Sequence, residues 1–115
     1  MVKKPKKKKV QKQKEKKLKP IRAKYKPKFE RKVKYIYGHD RVALALLESD
    51  LNDIKANPHI GTPKVGKLRG IRVYKVKRGT DTLLIAYKFD KRARTLVYFY
   101  IGSHENFYRE LEKYV

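Results

Sequence analysis

The chain has 115 residues, with 33 lysines and arginines against 11 aspartates and glutamates, a formal net charge of +22, and neither cysteine nor tryptophan. That length suits one domain and holds no run of 18 apolar residues for a membrane-spanning helix; the lack of cysteine excludes a disulfide framework, cysteine-ligated zinc and a thiol nucleophile. A reducing, cytoplasmic compartment is expected, and no membrane association through a spanning segment.

The charge is unevenly placed. Residues 1–34 hold 18 of the 33 cations and only Glu15 and Glu30 as acids. The run KKPKKKKVQKQKEKKLK has no apolar periodicity and too little hydrophobic area to offset the entropy of ordering it, so residues 1–20 are read as a disordered basic arm ahead of a folded unit at 21–115. A signal peptide would continue into an apolar segment, and here the chain continues IRAKYKPKFERK. The arm is either a solvated tail or a polyanion-binding segment. For the second reading, nucleic acid is preferred to anionic lipid because the folded remainder is basic as well.

The folded unit reads as α+β. A short strand is expected at Ile21 to Tyr25. Pro27 suits a first helical turn, Phe29, Val33 and Ile36 recur at helical spacing, and Gly38 can take the left-handed conformation that ends a helix, which predicts a helix over 27–37. Asp40 is a good N-cap for a second helix carrying Leu44, Leu47, Leu51 and Ile54, stopped by Asn57 and Pro58. With only Gly38 and His39 between them, the two helices should form an antiparallel hairpin packed on a common sheet. Residues 58–70 form a glycine- and proline-containing connector. Strands follow at 71–78, 82–89 and 95–101, joined by hairpin-length links as an antiparallel meander.

Strand alternation sets Val73, Lys75 and Lys77 on one face and Tyr74 and Val76 on the other. In the last strand Val97, Phe99 and Ile101 are expected to face the helices, leaving Leu96, Tyr98 and Tyr100 on an outer, basic and aromatic side. Ser103 is the expected N-cap of a final helix over 104–114, with His104 in its first turn.

P-loop and dinucleotide-binding glycine patterns, HExxH spacing and a GxSxG elbow are all missing from the sequence. What remains is a cationic sheet with one well-placed histidine, which suits metal-independent cleavage of RNA by attack of a 2′-hydroxyl on the adjacent phosphorus. Lys75, Lys77 and Arg78 would supply fixed positive charge for the dianionic transition state. His104 has the side chain whose ordinary pKa, about 6.5, suits proton transfer near neutrality, helix-terminal amides beside it would hold a phosphate oxygen, and Tyr98 and Tyr100 would stack on bases. Bland alternatives stay open: a hydrogen-bonded structural histidine, lysines that discourage edge-to-edge aggregation, tyrosines that only pack, and Asp81 as an ordinary turn residue. His39 and His59 receive no function.

The stretches LRGIRVYKVKRGTDTLLIAYKFD and LVYFYIGSHENFYREL resemble the RelE/ParE superfamily of toxins from type II toxin–antitoxin pairs, the GSHENFY ending being most similar to its YafQ-type and related RelE branches. The resemblance implies a RelE-like fold over Ile21 to Val115 and a ribosome-dependent endoribonuclease that cuts mRNA without metal or cofactor and is silenced by a cognate antitoxin. By motif, Lys75 and Lys77 match the strand lysines of such toxins, Asp81 an active-site acid, His104 an active-site histidine or the arginine of RelE itself, and Tyr108 a terminal aromatic that stacks on a base. Thr82 stands where the YafQ-type toxins have tryptophan, Lys77 where they have a histidine, and Leu84 or a neighbour where RelE has a sheet arginine. Two alternatives are carried alongside: a non-catalytic nucleic-acid-binding module, and an inhibitor of DNA gyrase of the ParE branch, which shares the fold.

Overall fold

Local signals set the helices. In the computed structural model, which describes residues 19–115, helix α1 spans Pro27–Tyr37 with the proline in its first turn, and Gly38 follows at φ 55°. Helix α2 spans Arg41–Ala56, and the carboxylate of Asp40 accepts a hydrogen bond from the Ala43 N–H at 3.0 Å, satisfying one of the free donors of the first turn. Residues 1–18 of the expected basic arm lie outside the described residues.

Five strands make one sheet: β1 (Arg22–Tyr25), β2 (Thr62–Pro63), β3 (Arg72–Arg78), β4 (Asp81–Asp90) and β5 (Thr95–Ser103), in the order β1-β5-β4-β3-β2. The expected meander is β3-β4-β5. The short β1 pairs in parallel with β5, Arg22 opposite Thr95 through Tyr25 opposite Tyr98, and β2 adds a two-residue antiparallel edge to β3. Among the described residues no helix is long and apolar enough to cross a membrane.

Each face of the sheet carries its own core. On one, Leu83, Ile85, Tyr87, Leu96, Tyr98 and Ile101 pack beneath Phe29 of α1 and Leu47 and Ile54 of α2. On the other, Val73, Leu84, Ala86, Phe99 and Tyr100 pack beneath Leu68, Ile71 and the short helix α3 (Phe107–Leu111). A fully buried side chain of this size contributes about 1.5–3 kcal/mol, so neither cluster is incidental.

The second face therefore differs from the open outer side expected of it, and β5 is oriented differently too. Leu96, Tyr98 and Ile101 turn to the helical hairpin, while Val97, Phe99 and Tyr100 turn away. The cause is a register shift. Ala86 pairs with Tyr100 and Tyr87 with Tyr98, which leaves Phe99 as an extra residue and reverses the alternation beyond it.

Two polar anchors hold the periphery. The buried Tyr87 hydroxyl donates to the Pro58 carbonyl at 2.7 Å and accepts from the Gly61 N–H at 2.9 Å, pinning the connector that follows α2. A side chain at Gly61 would start 2.8 Å from that oxygen, so the position requires glycine. Across the sheet Arg78 pairs with Asp50 of α2, which is only 6% exposed, and also donates to the Leu46 carbonyl at 3.2 Å.

Candidate functional site

Lys75 and Lys77 leave β3 on the face away from the helical hairpin, opposite Leu84 and Thr82 of β4. Both are exposed. In the next strand Gly102 pairs with Leu84, and an added Cβ there would lie 3.8 Å from Phe107, so α3 rests close against this row. The path from β5 into α3 differs from the expected one. Ser103 is the last residue of β5 and caps nothing; Asn106 precedes the helix at φ 61°, a left-handed conformation that asparagine tolerates. His104 thus sits in the link, its carbonyl accepting from the Phe107 N–H at 3.3 Å. The helix-terminal amides expected beside it are displaced three residues on, at the start of a helix of five residues.

That link brings His104 edge-on to Tyr108, with ring centroids 6.3 Å apart. Tyr108 is also edge-on to Phe107 at 5.1 Å, which fixes its plane. The Lys64 ammonium lies over the Tyr108 ring, 4.9 Å from its centroid. The result is a series, His104 to Tyr108 to Lys64, on the sheet face that bears Lys75 and Lys77. Among the described residues the ion pairs are Arg78–Asp50 and Lys113–Glu110, so the three lysines are held by no carboxylate. Lys64 was invisible in the sequence: it is one lysine among many, and only the return of the connector against β3 through its N–H to the Ile71 carbonyl, 2.9 Å, places it.

The other expected residues separate from this group. Arg78 and Asp81 form the last pair of the β3–β4 hairpin, one step beyond Lys77 and Thr82, and so belong to the opposite face. Asp81 lines an open groove with Lys32, Tyr35, Thr82 and Ser103, and among the described residues no hydrogen bond or ion pair joins it to His104. Arg78 is committed to Asp50. Tyr98 is 1% exposed and enclosed by Tyr25, Phe29 and Tyr87, so it does not reach a base; its role is packing. Tyr100 is largely buried between Phe107 and Tyr114 and borders an open cavity of about 620 Å³ lined by Lys28 and Lys32 of α1 and by Glu105 of the link, next to His104.

Burial raises the phenol pKa of Tyr37, Tyr74, Tyr87, Tyr98 and Tyr100 above the ordinary value of 10.0. At Tyr98 the neighbouring Tyr25 and Tyr87 add to it, and at Tyr100 the Glu110 carboxylate does. A folded pKa above the unfolded one means the native state holds the proton more tightly. The associated stability is complete below about pH 10 and is lost as pH rises from there through the folded values. The urea midpoint is expected to fall less steeply above pH 10 in Tyr98→Phe than in the wild type, the comparison cancelling the lysine titration common to both.

Residues 23–112 match the family model described as ParE-like toxin of type II bacterial toxin–antitoxin system. Among solved structures the chain is similar to the crystal structure of the RelBE2 toxin–antitoxin complex from Mycobacterium tuberculosis, with a TM-score of 0.55 and 21% identity over 75% of this chain and 100% of that one. That likeness establishes the fold. It is also similar to the solution structure of a conserved hypothetical protein from Helicobacter pylori, with a TM-score of 0.48 and 26% identity over 73% of this chain and 94% of that one. No curated protein sequence matches it.

Proposed function

The chain belongs to the ParE-like toxins of type II bacterial toxin–antitoxin systems, and from that premise we propose that it is an endoribonuclease that cuts mRNA on the ribosome and is held inactive by a cognate antitoxin. The observation that carries this reading is the His104–Tyr108–Lys64 series beside Lys75 and Lys77 on one face of the sheet. A base stacked on Tyr108 sets its phosphodiester within reach of the imidazole. The 2′-hydroxyl oxygen attacks phosphorus, its proton passing to solvent, while the bond to the 5′-oxygen breaks and His104 as imidazolium protonates the leaving oxygen. The products are a 2′,3′-cyclic phosphate and a 5′-hydroxyl. Lys75 and Lys77 neutralise charge that grows on the phosphorane oxygens, where fixed cations act more strongly than on the ground state. Asp81 has no part in this scheme, because it faces the other side of the sheet.

A second reading is favoured by the matched family itself, whose description is ParE-like: an inhibitor of DNA gyrase. Primer extension on an mRNA incubated with the protein and ribosomes is expected to show cuts in phase with codons. Intact message together with blocked DNA supercoiling would replace the nuclease with the gyrase inhibitor.

A further inference from the structure

The sheet face that bears Lys75 and Lys77 holds a second cationic cluster at its far end. Val97 of β5 pairs with Lys24 of β1 on one side and Lys88 of β4 on the other, so these lysines flank it on one face, separated by two strand spacings, about 10 Å. Two residues on, Phe99 draws two ammonium groups to one ring: Lys26 at 5.6 Å and Lys88 at 5.7 Å from its centroid. All three lysines are exposed, and the ion pairs among the described residues include none of them. Like charges converge here with no internal counter-ion, an arrangement that an external anion relieves.

Several features identify the anion. The cations are spread over two strand spacings, which matches a chain of phosphates better than a lone one. Phe99 is 8% exposed and offers no side chain to insert into lipid. Lys88 and Thr82, the partner of Lys77, are six residues apart on β4, about 20 Å along the strand; Leu84 and Ala86 between them are covered by Leu68, Ile71 and α3, so a polymer that touches both ends runs over that cover. The chain also enters the fold at this end. The Arg94 carbonyl accepts from the Arg22 N–H at 2.9 Å and its Nε donates to the Lys19 carbonyl at 3.1 Å, and residues 1–18 before that point contain ten lysines.

We propose that Lys24, Lys26 and Lys88 form an exosite for the RNA phosphodiester backbone, separate from the His104 end. That the polymer is RNA rests on the nuclease reading; that the cluster binds a polyphosphate does not.

The test uses the full chain and a labelled single-stranded RNA oligomer, with anisotropy followed across a salt series. Combined Lys24→Gln, Lys26→Gln and Lys88→Gln is expected to weaken binding at least about tenfold and to lower the slope of log affinity against log salt by about 2, at roughly 0.7 for each phosphate no longer neutralised. An unchanged slope in a variant with wild-type circular dichroism overturns the exosite. So does a variant that loses binding to anionic lipid vesicles while binding RNA as before. His104→Ala, measured in parallel, should keep the wild-type slope. If it also keeps wild-type cleavage, the catalytic reading fails and the exosite stands.

Discussion

Replacing His104 by alanine is expected to lower ribosome-dependent mRNA cleavage about 10²–10⁴-fold, the range that loss of a positioned proton-transfer group produces, and to relieve growth arrest on expression. The thermal midpoint should hardly move. His104 is exposed in the β5–α3 link, and its described contacts are an edge-on approach to Tyr108 and a backbone carbonyl that any residue would supply. Surface substitutions with so little packing usually change stability by less than about 0.5 kcal/mol. A histidine with a structural role would give the reverse pattern, a lowered midpoint with cleavage scaled to the folded fraction. Undiminished cleavage in a folded His104→Ala protein would remove the residue from the chemistry altogether.

Tyr98→Ala is expected to cost about 3–5 kcal/mol, the usual range for truncating a buried aromatic, which for a domain of this size is a large part of the whole stability. The ring stacks on Tyr25 at 5.3 Å, tilts against Phe29 at 5.4 Å and meets Tyr87 at 6.0 Å, so its removal opens a void where β1, α1 and β4 converge. Tyr98→Phe keeps that packing and gives up only a long hydroxyl approach of 3.5 Å to the Leu51 carbonyl, and should cost under about 1 kcal/mol. Chemical denaturation of the pair separates packing from base stacking. Were Tyr98 a stacking residue, alanine would impair RNA cleavage and leave the urea midpoint in place.

Features written in neighbouring residues were legible. Pro27 and the Phe29, Val33, Ile36 spacing placed α1, and the Asp40 cap forms the hydrogen bond its position implied. Lys75 and Lys77 share a face as strand alternation requires. Features that depend on distant parts of the chain were not. Nothing within Arg22–Tyr25 says that its partner is β5, or that the pairing is parallel. One extra residue at Phe99 reverses the orientation of everything after it in β5, and an alternating pattern of Val, Tyr, Phe, Tyr and Ile, apolar on both sides, contains no sign of where that residue falls. The same holds for the site. His104 and Tyr108 are close in sequence and could be singled out, whereas Lys64 reaches them through the connector. Arg78 looked like a third strand cation because its carboxylate partner lies 28 residues earlier on a helix.

The edge position of β1 constrains how the molecule is made. Among the described residues its neighbour in the sheet is β5, which begins at Thr95, so a chain growing from its N-terminus has no strand for Arg22–Tyr25 to join until Thr95–Tyr98 has been synthesised. Pairings this remote form late and slowly, because the intervening loop must close before they reward it. Until then the apolar undersides of α1 and α2 lack the part of their layer that Leu96, Tyr98 and Ile101 supply. The link that bears His104 follows β5, so the face that gathers it with Tyr108, Lys64, Lys75 and Lys77 is among the last parts of the molecule to form.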